Sequence, residues 1–229
     1  MSENPIELQE DDMEKPIENY WQIRLKKVKK SLEENNFDVY LVENVSRAKK
    51  VVLDDILPKI GAKSISWAGS LTFRATGLYE VIKGIEGLEV LDTYDKSLTP
   101  EQNYELRRKA LLVDLFFTGT NAVTENGTLV NLDMIGNRVG AITFGPTNVV
   151  VLVGRNKIVS DIDEAMMRIQ NYVAPTNAMR LDKKTPCVVT SYCEECRSTE
   201  RICNTWVISE KSFPKGRVKV ILINQDLGL

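Results

Sequence analysis

Residues 118–157 read TGTNAVTENGTLVNLDMIGNRVGAITFGPTNVVVLVGRNK, and this stretch decides how the fold is read. Six glycines and six asparagines are spaced between short runs rich in β-branched residues. Such runs suit strands, and the Gly and Asn positions suit turns where the backbone passes close to something. Strand-like runs fall at 115–117, 128–132, 139–143 and 148–153, with turns at Asn126-Gly127, Gly136-Asn137 and Gly145-Pro146. No helical period separates them, so this part of the chain is expected to be partly antiparallel. One carboxylate, Glu125, sits at the first of these turns.

Upstream the pattern differs. Trp21, Leu25, Val28 and Leu32 recur at spacings of one helical face, and Arg24, Lys26, Lys27, Lys29 and Lys30 occupy the other, which reads as a solvated face. Asn35-Asn36 ends that helix and a strand follows at 37–42. Ser46 is the expected cap of a helix reaching about Ile60 and stopped by Gly61. A strand at 64–67 runs into Ala68-Gly69-Ser70-Leu71-Thr72 and a helix closed near Gly84, followed by a strand at 88–91. Thr99, Pro100 and Gln102 supply three helix-start signals together. Helix alternating with strand argues for a parallel sheet. Downstream, a helix is expected from Ser160, with Asp161, Asp163 and Glu164 in its first turn, to about Val173 before Pro175. Strands at 206–209 and 218–223 close the chain. The fold class is therefore α/β, a layered sheet with a parallel N-terminal half and partly antiparallel C-terminal strands. Residues 1–16 read as an acidic mobile leader and 17–180 as the main α/β domain. Residues 181–229 read as a cysteine-bearing segment whose closing strands pack on that domain.

Composition removes several function classes. Apolar residues make up 43% and charged residues 27%, ordinary for a globular chain of 229 residues. A formal charge of −2 gives no field to recruit nucleic acid. No apolar run approaches the roughly 18–20 residues that span a bilayer. The N-terminus lacks an apolar signal core, so a cytoplasmic location is the expectation. The chain has no histidine. Acid–base chemistry near neutral pH must then fall to Asp, Glu, Lys, Cys or Tyr, or to a cofactor.

The segments Asn121-Ala122-Val123-Thr124-Glu125-Asn126-Gly127, Gly136-Asn137-Arg138, Gly145-Pro146 and Gly154-Arg155-Asn156-Lys157 resemble, in order, those of the lactate-utilisation (LUD) domain family. Trp67-Ala68-Gly69-Ser70-Leu71-Thr72, leading to Gly77-Leu78, fits that family's earlier loop. The likeness covers roughly residues 17–223. It implies a fold of the NagB/RpiA/CoA-transferase-like superfamily, in agreement with the alternation above. It also implies a link to oxidation of L-lactate or a similar 2-hydroxy acid, beside iron–sulfur oxidoreductase subunits as partners.

Three constellations could carry chemistry. Glu125-Asn126-Gly127 resembles the Glu-x-Gly signature of CoA transferases, in which a partly desolvated carboxylate attacks a thioester. The same acid could act as a general base, as in sugar-phosphate isomerases, or Asn-Gly could be a plain hairpin turn with Glu125 exposed beside it. Gly69, Ser70 and Thr72 lie between a strand and a helix, where amide hydrogens and hydroxyls suit a small anionic ligand, although Ser and Thr are also ordinary caps. Arg74 and Arg138 are candidate anion partners, and Asn121, Asn126, Gly127 and Asn137 would orient the ligand. Finally, Cys187, Cys193, Cys196 and Cys203 fall within 17 residues, with no cysteine elsewhere. That spacing suits an iron–sulfur cluster, a structural zinc or a redox dithiol at Cys193 and Cys196, with buried or incidental thiols as the remaining alternative. The expected function is a lactate-utilisation-type protein binding a small carboxylate or phosphate. The alternatives are an enzyme of the CoA-transferase or isomerase kind using Glu125, and a non-catalytic scaffold for an iron–sulfur oxidoreductase.

Overall fold

Strands buried on both faces read as unbroken apolar runs, and two such runs form the middle of the main sheet. β7 (Asn148–Gly154) and β10 (Val218–Ile223) are buried along almost their whole length. They pair in parallel, flanked by β1 (Asp38–Val42) on one side and by β4 (Leu115–Gly119), β2 (Ser64–Trp67) and β3 (Glu89–Leu91) on the other. This computed structural model describes residues 11–229, and every pairing in the six-stranded sheet is parallel. Residues 1–10 of the expected leader lie outside the described residues. Residues 11–16 already belong to the first helix, α1 (Asp11–Glu34).

Alternate residues of one strand feed two cores, as the pleat requires. Val149, Val151 and Val153 face a layer containing Leu25, Val28 and Leu32 of α1. Val150 and Leu152 face the other layer, with Val51, Val52 and Ile56 of α2 (residues 45–60), Phe73 of α3 (Leu71–Ala75) and Leu78 and Ile82 of α4 (Leu78–Lys83). The cap of α2 is Asn44, whose side chain accepts from the Arg47 N–H at 2.9 Å, two residues earlier than the expected Ser46. The helix expected through to Gly84 is broken at Gly77, which takes φ +67. α5 (Pro100–Lys109) carries the full reciprocal capping box between Thr99 and Gln102.

A second, mixed sheet of four strands holds β8 (Ile158–Val159), β5 (Ala122–Thr124), β6 (Leu129–Asp133) and β9 (Thr205–Ser209) in that order. β6 is antiparallel to both its neighbours, so the antiparallel pairing expected in the C-terminal half is confined to this sheet. Two expectations need correction. Residues 139–143 are not a strand but part of α6 (Asn137–Thr143), in which Val139 and Ile142 recur at helical spacing on the buried side. Gly136, at φ +88, turns the chain into that helix. The helix expected to stop before Pro175 instead runs on as α7 (residues 162–180), capped by Asp161. A wide π turn at Ile169–Val173 re-registers its bonding just before Pro175, where an ordinary helix would lack a donor and clash. α7 packs Ala165, Ile169 and Val173 against the second sheet. A short helix, α8 (Cys187–Thr190), follows.

Candidate functional site

The loops leaving the carboxyl ends of β2, β3, β4 and β7 meet α6 and α7 across a cavity of about 550 Å³. In open parallel sheets this end of the strands is where ligands are held. The β2 loop brings Gly69 and Ser70, the β3 loop Thr93 and Tyr94, and the β4 loop Thr120 and Asn121. Gly119 permits the approach: a Cβ there would lie 2.7 Å from the Ser70 Oγ. Tyr94 locks the wall by donating to the Ala68 carbonyl at 2.8 Å and accepting from the Ser70 N–H at 3.2 Å. Burial pushes the Tyr94 phenol up to about 12, so it remains a donor at neutral pH.

Six of the nine residues expected to bind ligand line this cavity: Gly69, Ser70, Arg74, Asn121, Asn137 and Arg138. Their roles differ from the expectation in two places. Ser70 Oγ accepts from the Phe73 N–H and its own N–H is taken by Tyr94, so its amide and one lone pair serve the cap and the wall, and its hydroxyl hydrogen is left for a ligand. Arg138 is buried and spends all five of its N–H bonds inside the protein. Nε donates to Asp133 at 3.0 Å, the two terminal nitrogens to the carbonyls of Gly119 and Leu132 and to the side chains of Asn131 and Asn121. It ties β4 to β6 and fixes the cavity floor rather than reaching for a ligand.

The remaining three stand elsewhere. Thr72 is buried and donates to the Leu227 carbonyl, holding the C-terminal segment. Asn126 accepts from Thr124 within its own turn. Gly127, at φ +81, lets the hairpin lie on α1, because a Cβ there would sit 2.7 Å from backbone atoms of Ser31 and Leu32. The close neighbour of that glycine is therefore helix backbone, not substrate. Glu125 also lies outside the cavity lining. Its carboxylate pairs with Arg24 Nε at 2.8 Å and with Lys27 Nζ. The hydrogen bond from Lys27, with help from the Arg24 charge, holds it below the usual carboxylate range. A carboxylate clamped by two cations is a poor nucleophile and a poor base.

Sequence reading missed the strongest feature, which is charge. Arg107, Lys157, Arg180 and Lys183 join Arg74 around the cavity. Among the described residues none of these five cations lies within ion-pair distance of a carboxylate. Asp133, the acid in the lining, is already held by Arg138. Lys157 is the most unusual of them. It is 6% exposed, and its Nζ donates to the Thr120 carbonyl at 3.1 Å. Burial, then the charges of Arg168 and Arg138, push its pKa down to about 7. Arg107 lies more than 70 residues from Arg180 and Lys183, and none of the three left a local signal. Lys157 did leave one, as a cation directly abutting the apolar run of β8, in the short Arg155–Lys157 connection from β7.

The LUD domain family model matches residues 25–223, which span the main sheet and all of the cavity lining except Leu229. The chain belongs to the LUD domain family. Among solved structures, this LUD domain is similar to the crystal structure of a DUF162 family protein from Deinococcus radiodurans. Identity is 17% and the TM-score 0.48, with 89% of this chain and 98% of that chain covered. No curated protein matches the chain. No helix among the described residues of this LUD domain is long and apolar enough to cross a membrane.

The four cysteines are free and half-buried. Cys187 Sγ lies 3.2 Å from the Thr185 hydroxyl, and Cys203 packs against the core under the second sheet. Among the described residues no three Cys, Asp or Glu side chains gather as a metal or cluster would require.

Proposed function

We propose that this LUD domain binds a small carboxylate or phosphate ligand in the cavity at the carboxyl ends of its parallel strands, in the service of oxidising L-lactate or a similar 2-hydroxy acid. The observation that carries the reading is a set of four cations around one cavity, Arg74, Arg107, Arg180 and Lys183, none of them within ion-pair distance of a carboxylate among the described residues. Cations gathered in a cleft with low-dielectric walls concentrate anions and hold them more tightly than the same charges would on an open surface. The anion follows from this charge, while the 2-hydroxy acid follows from family resemblance. Oxidation of such a ligand needs an electron acceptor. The reading assigns that part to associated iron–sulfur oxidoreductase subunits, as the family resemblance implies.

The test is thermal denaturation at fixed ionic strength with L-lactate, pyruvate, inorganic phosphate or chloride. A carboxylate or phosphate is expected to raise the midpoint saturably where chloride does not. The double variant Arg180→Gln, Lys183→Gln is expected to weaken that effect at least about tenfold, the equivalent of 1.4 kcal/mol. Identical melting in every anion would refute the reading.

A further inference from the structure

One group in the cavity has no task in simple anion binding at its depth. Lys157 is almost wholly buried yet contributes to the cavity lining, and its side chain makes one hydrogen bond, to the backbone carbonyl of Thr120. A carbonyl accepts equally from an ammonium or from a neutral amine, so this contact does not require the charge. No carboxylate lies within ion-pair distance of it among the described residues. The charged groups that act on it are Arg168 and Arg138, both of like sign. Arg168 is itself anchored, donating to the Asn121 carbonyl at 2.9 Å. With like charges beside it and the solvent removed, the amine holds its proton weakly, and at neutral pH about half of it carries a free lone pair. A desolvated lysine beside cationic groups is the arrangement that makes an amine a nucleophile toward carbonyls.

We propose that Lys157 Nζ condenses with the carbonyl of an anionic ligand held in this cavity, a 2-oxo acid or a phosphorylated aldehyde or ketone, to form an imine. The amine lone pair attacks the carbonyl carbon. The carbon–oxygen double bond is replaced by a carbon–nitrogen double bond, and the oxygen departs as water with the two amine hydrogens. Nothing is oxidised or reduced. The cations of the cavity, Arg74, Arg107, Arg180 and Lys183, hold the ligand's carboxylate or phosphate, so the inference rests on the anion-binding reading. It adds that the ligand carries a carbonyl and that the contact becomes covalent.

The experiment uses the full chain at pH 7 with pyruvate or, separately, pyridoxal phosphate, each with sodium cyanoborohydride to fix any imine. Intact-mass and peptide analysis then locate the adduct. Lys157 is expected to be labelled at least about tenfold faster than the average of the other lysines, since an ordinary lysine at this pH is almost wholly protonated. Excess L-lactate or inorganic phosphate, which cannot form imines, is expected to slow that labelling. Lys157→Met removes the amine, keeps a side chain of similar length and is expected to abolish the adduct, whereas Lys211→Arg on the surface is expected to leave it. Labelling by pyruvate alone would mark the carboxylate class, and labelling by pyridoxal phosphate alone the phosphate class. Adducts spread over surface lysines, or labelling that lactate and phosphate leave unslowed, overturn the proposal. If lactate or phosphate raises the melting midpoint but Lys157 stays unlabelled, the imine is wrong and anion binding stands. If neither anion raises it, the anion-binding reading fails as well.

Discussion

Replacing Lys157 with Met removes a buried amine from the cavity wall while keeping a side chain of similar length. With its pKa pushed down to about 7 from an ordinary 10.5, the lysine carries a folding penalty of about 4 kcal/mol at pH 7. The loss of its hydrogen bond leaves the buried Thr120 carbonyl without that donor, which costs about 1–3 kcal/mol. The variant is therefore expected to be more stable than the wild type by about 1–3 kcal/mol at pH 7. The sign changes with pH. Between about 7 and 10.5 the unfolded chain holds a proton that the folded chain has released, so wild-type stability rises as pH rises through this window. Below pH 7 the full penalty remains. Urea denaturation of both proteins from pH 6.5 to pH 9 should show the variant's advantage shrinking by roughly 1.4 kcal/mol per pH unit above 7. A gap that does not change with pH, or a variant less stable at pH 7, would mean that Lys157 is charged and paired in the folded protein.

Other expectations follow from single contacts. Glu125→Gln should leave anion binding unchanged and cost no more than about 1 kcal/mol at pH 7, because the ion pair is partly exposed. Since its folded pKa lies below 4.5, that difference should be present at neutral pH and fade as pH falls through the carboxylate range. Loss of ligand binding in this variant would place the site at the hairpin after all. Gly127→Ala must fit a Cβ 2.7 Å from α1 backbone at φ +81 and should lower the melting midpoint by at least about 2–4 °C. An unchanged midpoint would show that helix and hairpin are not so tightly apposed. Arg138→Met strands the buried Asp133 and should cost about 3–5 kcal/mol in urea denaturation. A cost under 1 kcal/mol would refute its role as the tie between β4 and β6. Chelator treatment should leave the melting midpoint where it was, because the cysteine side chains are not gathered as ligands. A large drop, with zinc or iron released, would mean that residues 187–203 rearrange around a metal.

Much of the fold was legible because it depends on local rules. The runs at β7 and β10 announce strands buried on both faces, and Thr99, Pro100 and Gln102 announce a helix start wherever they fold. Errors arose where a distant contact outranked local preference. Val139, Ile142 and Thr143 favour strands, yet α6 forms because Arg138 anchors its first turn to Asp133 and Ile142 fills the main core. Pro175 reads as a stop, but the π turn before it lets α7 continue. The Gly-rich stretch was correctly read as backbone that passes close to something, although at Gly127 that something is the protein's own helix.

By itself, the sequence determined the α/β class, most strand positions, the first cavity loop at Gly69 and Ser70, and the absence of any imidazole chemistry. These follow from periodicity, capping and composition, which act within a few residues. Only the tertiary structure decided that Glu125 serves α1 and not the cavity, that the cysteines stand apart as free thiols, and that Arg74, Arg107, Lys157, Arg180 and Lys183 surround one space. Their convergence spans more than 100 residues of chain. Burial and the nearness of like charges, which set the protonation of Lys157, exist only once the sheets and helices have packed.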